Sequence, residues 1–198
     1  MDYQTLKKNF ENHRFKTAYF ATKEEAADYL VKTVRGEVVG FGGSMSAKEM
    51  GLYERLSETN TVLWHWMGPA QETRFLARDA TVYILSANGA SETGELVNID
   101  GTGNRLAASL FGPKRTIYLI GKNKIEPDIA AAMKRARNVA AVKNAERFRT
   151  KTPCVASGGE KCFDCNSPER ICNATVILER PMKGMETELL FIDEELGF

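Results

Sequence analysis

All four cysteines of this chain stand in one 19-residue window, as Cys154, Cys162, Cys165 and Cys172, spaced C-x7-C-x2-C-x6-C. Four thiolates are the donor set of a structural zinc or of a [4Fe-4S] cluster, with zinc the second choice of the two. The spacing is neither the bacterial ferredoxin run nor a pair of C-x2-C knuckles. Cys162 and Cys165 also have the separation of a redox dithiol, though no helix start precedes them to lower a thiol pKa. Bound metal, free thiols or a reversible disulfide, and a nucleophilic cysteine therefore all stay open. Asp164, Ser167 and Arg170 either orient the segment or serve as surface and turn residues.

A second run, Asn88 to Arg105, is dense in glycine, acid and amide groups. Glu92 has the chemistry of an acid–base carboxylate, assisted by Asn88 and Arg105. Arg105 can grip a carboxylate or phosphate through two parallel hydrogen bonds. Asn98, Asp100 and Asn104 add ligand-binding groups. Asp100 and Asn104 serve equally as turn and cap residues. Earlier in the chain, Gly42, Gly43 and Ser44 turn a strand into a helix, which suits an anion at the helix start. The bland alternative is a tight turn with a serine cap. His65, between Trp64 and Trp66, is either a proton-transfer group or a half-buried histidine with its nitrogens satisfied locally.

These residues need elements to hold them. Glu37–Phe41, Thr61–Trp64, Thr81–Leu85 and Thr116–Ile120 are short apolar strands, and helical runs lie between them. The predicted fold is α/β: three layers, α/β/α, around a mostly parallel sheet. Residues 1–35 read as two helices, with Thr22 as cap and Glu25 in the capping-box position. Residues 36–149 form the α/β core, 150–173 the cysteine segment, and 174–198 two strands that pair as an edge hairpin. Pro127–Arg137 reads as a helix broken at Asn138, with a strand over Val139–Val142. All of it is expected to form one domain, 1–198. Ligands of such folds bind beyond the strand C-termini, which singles out the loops Gly42–Ser46, Ser86–Gly94 and Gly121–Glu126.

A hydrophobic fraction of 43% allows an ordinary core. The formal net charge of +1 argues against general nucleic-acid binding, although Lys143–Lys151 is a local basic patch. No run is long and apolar enough to span a membrane, and the opening MDYQTLKKNF has no leader-like apolar core. The expected location is cytoplasmic, where thiols stay reduced. Oligomeric state is not legible. The Trp64–Trp66 region and the tail are interface candidates.

The run NGASETGELVNIDGTGNR resembles the signature of the lactate-utilisation (LUD) domain family, and TPCVASGGEKCFDCNSPERICN is similar to the cysteine-bearing tail of its short, small-subunit members. The resemblance implies a fold like that of the sugar-isomerase and CoA-transferase superfamily, with the Gly42–Ser44 turn and the Asn88–Glu92 loop lining the pocket. It places Asn98, Asp100, Gly101, Asn104 and Arg105 in the pocket wall or an oligomer contact. It also implies a subunit or accessory role in oxidation of L-lactate or a related organic acid, beside iron–sulfur redox subunits. The chain has no flavin or nicotinamide fingerprint, so oxidation requires a partner or another cofactor. Two alternatives remain: an isomerase- or transferase-like enzyme acting through Glu92 on a small anionic metabolite, and a metabolite- or redox-sensing binding protein.

Overall fold

The computed structural model describes residues 2–198. Helix α1 (Tyr3–Asn12) is capped by Asp2 and buries Leu6 and Phe10. Strand β1 (Lys16–Phe20) follows, where the sequence reads helix directly into helix. Its five residues are mixed in polarity and lie on a sheet edge, so they carry no apolar run to announce a strand. Helix α2 (Lys23–Thr33) starts as expected, with Thr22 Oγ1 accepting from the Glu25 amide.

Next come β2 (Val38–Phe41), α3 (Met45–Glu49) and α4 (Leu52–Ser57). Gly51, with a left-handed φ of 60°, separates α3 from α4. Ser44 is the cap of α3: its hydroxyl accepts from the Ala47 amide. Strand β3 (Thr61–Trp64), helix α5 (Ala70–Arg78) and strand β4 (Val82–Ser86) follow. Then come β5 (Gly89–Ser91), β6 (Leu96–Asp100), α6 (Asn104–Leu110), β7 (Arg115–Gly121) and β8 (Ile125–Glu126).

Helices α7 (Ile129–Arg135) and α8 (Ala141–Phe148) are joined by a π turn over Ala136–Ala140. The break at Asn138 and the strand over 139–142 are therefore corrected: the alanine-rich run stays helical. Asn138 donates to the Lys134 carbonyl and accepts the Cys162 amide, so it tethers the cysteine segment. A short helix α9 (Pro153–Ala156) opens that segment, and β9 (Ala174–Leu178) and β10 (Glu186–Ile192) close the fold.

Six strands form one sheet in the order β1-β10-β7-β4-β2-β3, and every pair is parallel. Alternate side chains feed two cores, as strand geometry demands. Ile84, Ile117, Leu119, Leu190 and Ile192 pack under α2, α3 and α4. Tyr83, Leu85, Tyr118, Leu189 and Phe191 pack on the other face with α1. A second sheet, β8-β5-β6-β9, is mixed and packs its Val97 and Ile99 against Ala132 and Ala136.

The expected tail hairpin does not form. Strand β9 pairs with β6, while β10 lies between β1 and β7. Leu189 to Ile192 are apolar on both faces, which an edge strand would leave half exposed.

Candidate functional site

After β2 the chain runs outward to β3, and after β4 it runs the other way to β7. The loops leaving the adjacent strands β2 and β4 thus part at a topological switch point, where open α/β sheets hold their ligands. A cleft of about 400 Å3 opens there. Its walls are the ends of β2 and β3, the β6–α6 loop, helix α8 and the last part of the cysteine segment.

Arg74, Arg105, Arg147 and Arg170 line this cleft, against one carboxylate, Asp100. Asp100 is already engaged by Arg105, with Nε 3.4 Å from Oδ2. Arg147 lies 5.1 Å from the Trp66 ring centroid and 4.0 Å from that of Phe148, and burial lowers its pKa. Arg74 Nε is buried without a hydrogen-bond partner. Excess cationic charge in a partly dehydrated cleft selects anions.

Of the residues singled out from the sequence, Gly43, Asn88, Asp100, Asn104 and Arg105 line the cleft, and Ser44 lines a smaller recess beside it. Several of their polar groups are spent on the fold. Asn88 Oδ1 accepts the Ile99 amide (2.8 Å), and Asn98 Oδ1 accepts the Asn88 amide (3.1 Å), which locks the crossing of β5 and β6. Asp100 accepts the Thr102 and Arg105 amides, the turn-and-cap role that its sequence context also allowed.

The Gly42 amide donates to the Ile84 carbonyl, and Ser44 spends its hydroxyl on the cap of a five-residue helix. The glycine turn therefore shapes the cleft without presenting a helix-start anion site. A Cβ on Gly42 would stand 2.6 Å from Arg105 Cγ, so glycine is what lets that arginine cross β2. Glu92 lies elsewhere. It is exposed after β5, where its backbone joins the Asn9 side chain and the Glu126 carbonyl, and it does not line the cleft.

His65 is 9% exposed, and its Nδ1 is buried without a partner. Burial first, then the charge of Arg74, lowers its pKa to about 4. It presents a neutral ring at neutral pH. Its ring-proton shifts, followed by nuclear magnetic resonance, are expected to stay flat from about pH 8 down to about pH 5.5, where an ordinary histidine is already mostly charged. Because the folded pKa lies below the unfolded one, stability from this group falls as pH drops from about 6.5 toward 4.

The four cysteines all line one small pocket beneath α8. Asp164, at φ 44°, donates its amide to Cys162 Sγ (3.4 Å), and Thr152 Oγ1 is 3.2 Å from Cys154 Sγ. Burial raises the Cys172 pKa, Arg170 opposes that, and Cys162 and Cys165 add to it. Among the described residues no group of three or more His, Cys, Asp or Glu side chains is arranged to hold a metal ion.

Ala141, Arg170 and Ile171 line both this pocket and the cleft. Arg170 donates to the carbonyls of Cys165 (2.6 Å) and Cys172 (3.1 Å) and pairs with Asp164 (3.0 Å). At Gly101 a Cβ would stand 2.6 Å from the Ile171 carbonyl oxygen, so glycine allows the cysteine segment to lie directly on the cleft loop.

The arrangement defines a parallel-sheet α/β protein with a cationic strand-end cleft walled by a four-thiol segment. The LUD domain profile matches residues 3–191, and the chain belongs to that family. The fold is similar to the crystal structure of a DUF162 family protein from Deinococcus radiodurans, at a TM-score of 0.56 and 11% identity over 96% of this chain and 95% of that one. No curated protein matches the chain in sequence. No helix among the described residues is long and apolar enough to cross a membrane.

Proposed function

We propose that the protein binds a small organic anion in the arginine cleft and serves as a subunit or accessory protein in oxidation of L-lactate or a related organic acid. Membership of the LUD family is in keeping with organic-acid metabolism. The observation that carries the reading is the common wall: Arg170 and Ile171 face the anion cleft on one side and the four thiols on the other.

The chemistry of the donor set fits an iron–sulfur cluster better than zinc. All four thiols line one pocket, and a cluster takes one sulfur per iron, so it asks less convergence of them than a single zinc does. Cys154, Cys162, Cys165 and Cys172 would hold it, with the Asp164 amide and Arg170 offsetting thiolate charge. Such a group would supply one-electron transfer. The chain's own residues bind and orient: Arg105 and Arg147 take the carboxylate, and Trp66 and Phe148 exclude water around it. The exposed position of Glu92 gives no support to an enzyme acting through that carboxylate.

The test is anaerobic purification, with iron, sulfide and zinc measured per chain, and calorimetry with L-lactate and pyruvate. Broad visible absorption with stoichiometric iron, together with binding of either anion, is the expected result. A colourless chain with zinc alone removes the electron-transfer role and leaves a structural clasp. A chain without metal that still binds the anion turns the reading to redox or metabolite sensing.

A further inference from the structure

Lys124 follows β7 and lies in the recess that continues the cleft inward. It is 2% exposed. Its ammonium nitrogen is 2.5 Å from Ser86 Oγ and 3.0 Å from Ser46 Oγ, and the two hydroxyls are 3.4 Å apart. Ser86 also reaches the Leu119 carbonyl and Ser46 the Leu196 carbonyl, so both hydroxyls have outlets for their own protons. Among the described residues Lys124 has these two hydroxyl partners and no carboxylate partner. A fold that buries a lysine without a counter-ion carries a cost that packing alone does not explain.

The groups facing Lys124 deepen that cost. Arg135 from α7 and Arg105 from α6 oppose its charge, and only Glu49 from α3 favours it weakly. Burial and these two cations lower its pKa to about 7. A lysine desolvated beside other cations is the usual form of an amine nucleophile at neutral pH. Arg105, Arg147 and Asn88 line the same recess as the amine. The recess itself has about 20 Å3, room for about one water molecule, so only a carbonyl group enters it and the rest of the ligand lies in the adjoining cleft.

We propose that Lys124 is a carbonyl-binding amine that condenses with the oxo carbon of a small oxo acid whose carboxylate is held by Arg105 and Arg147. This rests on the anion-cleft reading above. The neutral Nζ attacks the carbonyl carbon, so a C–N bond forms and the carbonyl π bond breaks to give a carbinolamine. A proton leaves nitrogen and reaches the new hydroxyl through Ser86 or Ser46. Loss of one water gives the imine, and the balance needs no oxidant or reductant.

The test is to treat the native protein with pyruvate or glyoxylate and cyanoborohydride across the neutral range, then map the reduced adduct by peptide mass spectrometry. A single adduct on Lys124 is expected, with yield rising through neutral pH. At pH 7 an exposed lysine is free amine about a thousandfold less often, so labelling at Lys124 is expected to exceed that at any surface lysine about tenfold or more. Lys124→Met and Lys124→Arg are expected to lose the adduct. Calorimetry separates the two levels of the argument. Pyruvate that binds but labels only exposed lysines overturns the imine and leaves the cleft intact. Pyruvate and glyoxylate that neither bind nor label overturn both. The labelling pattern of the unmutated protein decides the question even where a variant fails to fold.

Discussion

Lys124→Met is expected to raise the melting temperature at about pH 6 by roughly 5–10 °C, while removing the only buried lysine among the described residues. The drop of this lysine from 10.5 to about 7 corresponds to about 4–5 kcal/mol against the folded state when the group is charged. Methionine fills similar volume and removes that cost. The two serine hydroxyls keep their carbonyl partners and lose one ammonium bond each, which returns about 1–2 kcal/mol. The net gain is about 2–4 kcal/mol. The pH dependence identifies its source. Between about 7 and 10.5 the unfolded chain holds a proton on Lys124 that the folded chain has released, so parent stability rises with pH there. Lys124→Met lacks that rise, and the two curves converge as pH increases. Measurement should stop below about pH 9.5. Above it Tyr83 and Tyr118, both raised by burial, stay protonated in the fold while unfolded tyrosines ionise, which lowers stability in parent and variant alike. Equal melting temperatures at all pH values would mean that Lys124 is solvated and carries no special chemistry.

The contrast between Lys124 and the strands around it shows what a sequence conveys. Strands β4 and β7 are legible because apolar residues on both faces report a doubly covered sheet, a local pattern with a general cause. The loops that hold the site follow from strand direction alone. Lys124 stands in one of those loops, Gly121–Glu126, but nothing in the run Lys122-Asn123-Lys124 marks which lysine is buried. Its burial arises only when α3 and the Leu196–Gly197 tail close over it. Arg147 lies in a patch that reads as surface charge, yet an aromatic pair draws it into the cleft. Arg74, Arg147 and Arg170 come from a helix, another helix and an irregular segment, far apart in the chain, and no local pattern joins them. Glu92 shows the opposite limit. Its loop is rightly located at a strand end, but β5 carries it past the cleft to the exposed turn before β6.

Arg170→Met is expected to weaken two properties together, metal content and anion affinity, where Arg147→Met weakens only the second. Arg170 holds the cysteine segment through the carbonyls of Cys165 and Cys172, and its neighbour Ile171 rests on Gly101 at the cleft. Removing the guanidinium leaves two carbonyls without their donor and takes from Asp164 the nearer of its two arginines, and each charge-assisted bond contributes about 1.5–3 kcal/mol. Partial exposure of the segment reduces the net effect to about 2 kcal/mol, enough to lower retention of a thiolate-bound group about tenfold or more. The same change removes one of four cationic groups from the cleft, and pyruvate affinity should fall about three- to tenfold. Arg147 contacts Trp66, Phe148 and Asn144 but no cysteine, so Arg147→Met should cost affinity at unchanged iron and sulfide. Both quantities are read on the same preparations, by metal analysis and calorimetry. If Arg170→Met lowers metal content with full anion affinity, the shared wall is a scaffold and the two sites are independent. If both fall together, Arg170 serves both sites, as a wall shared by the thiol pocket and the cleft requires.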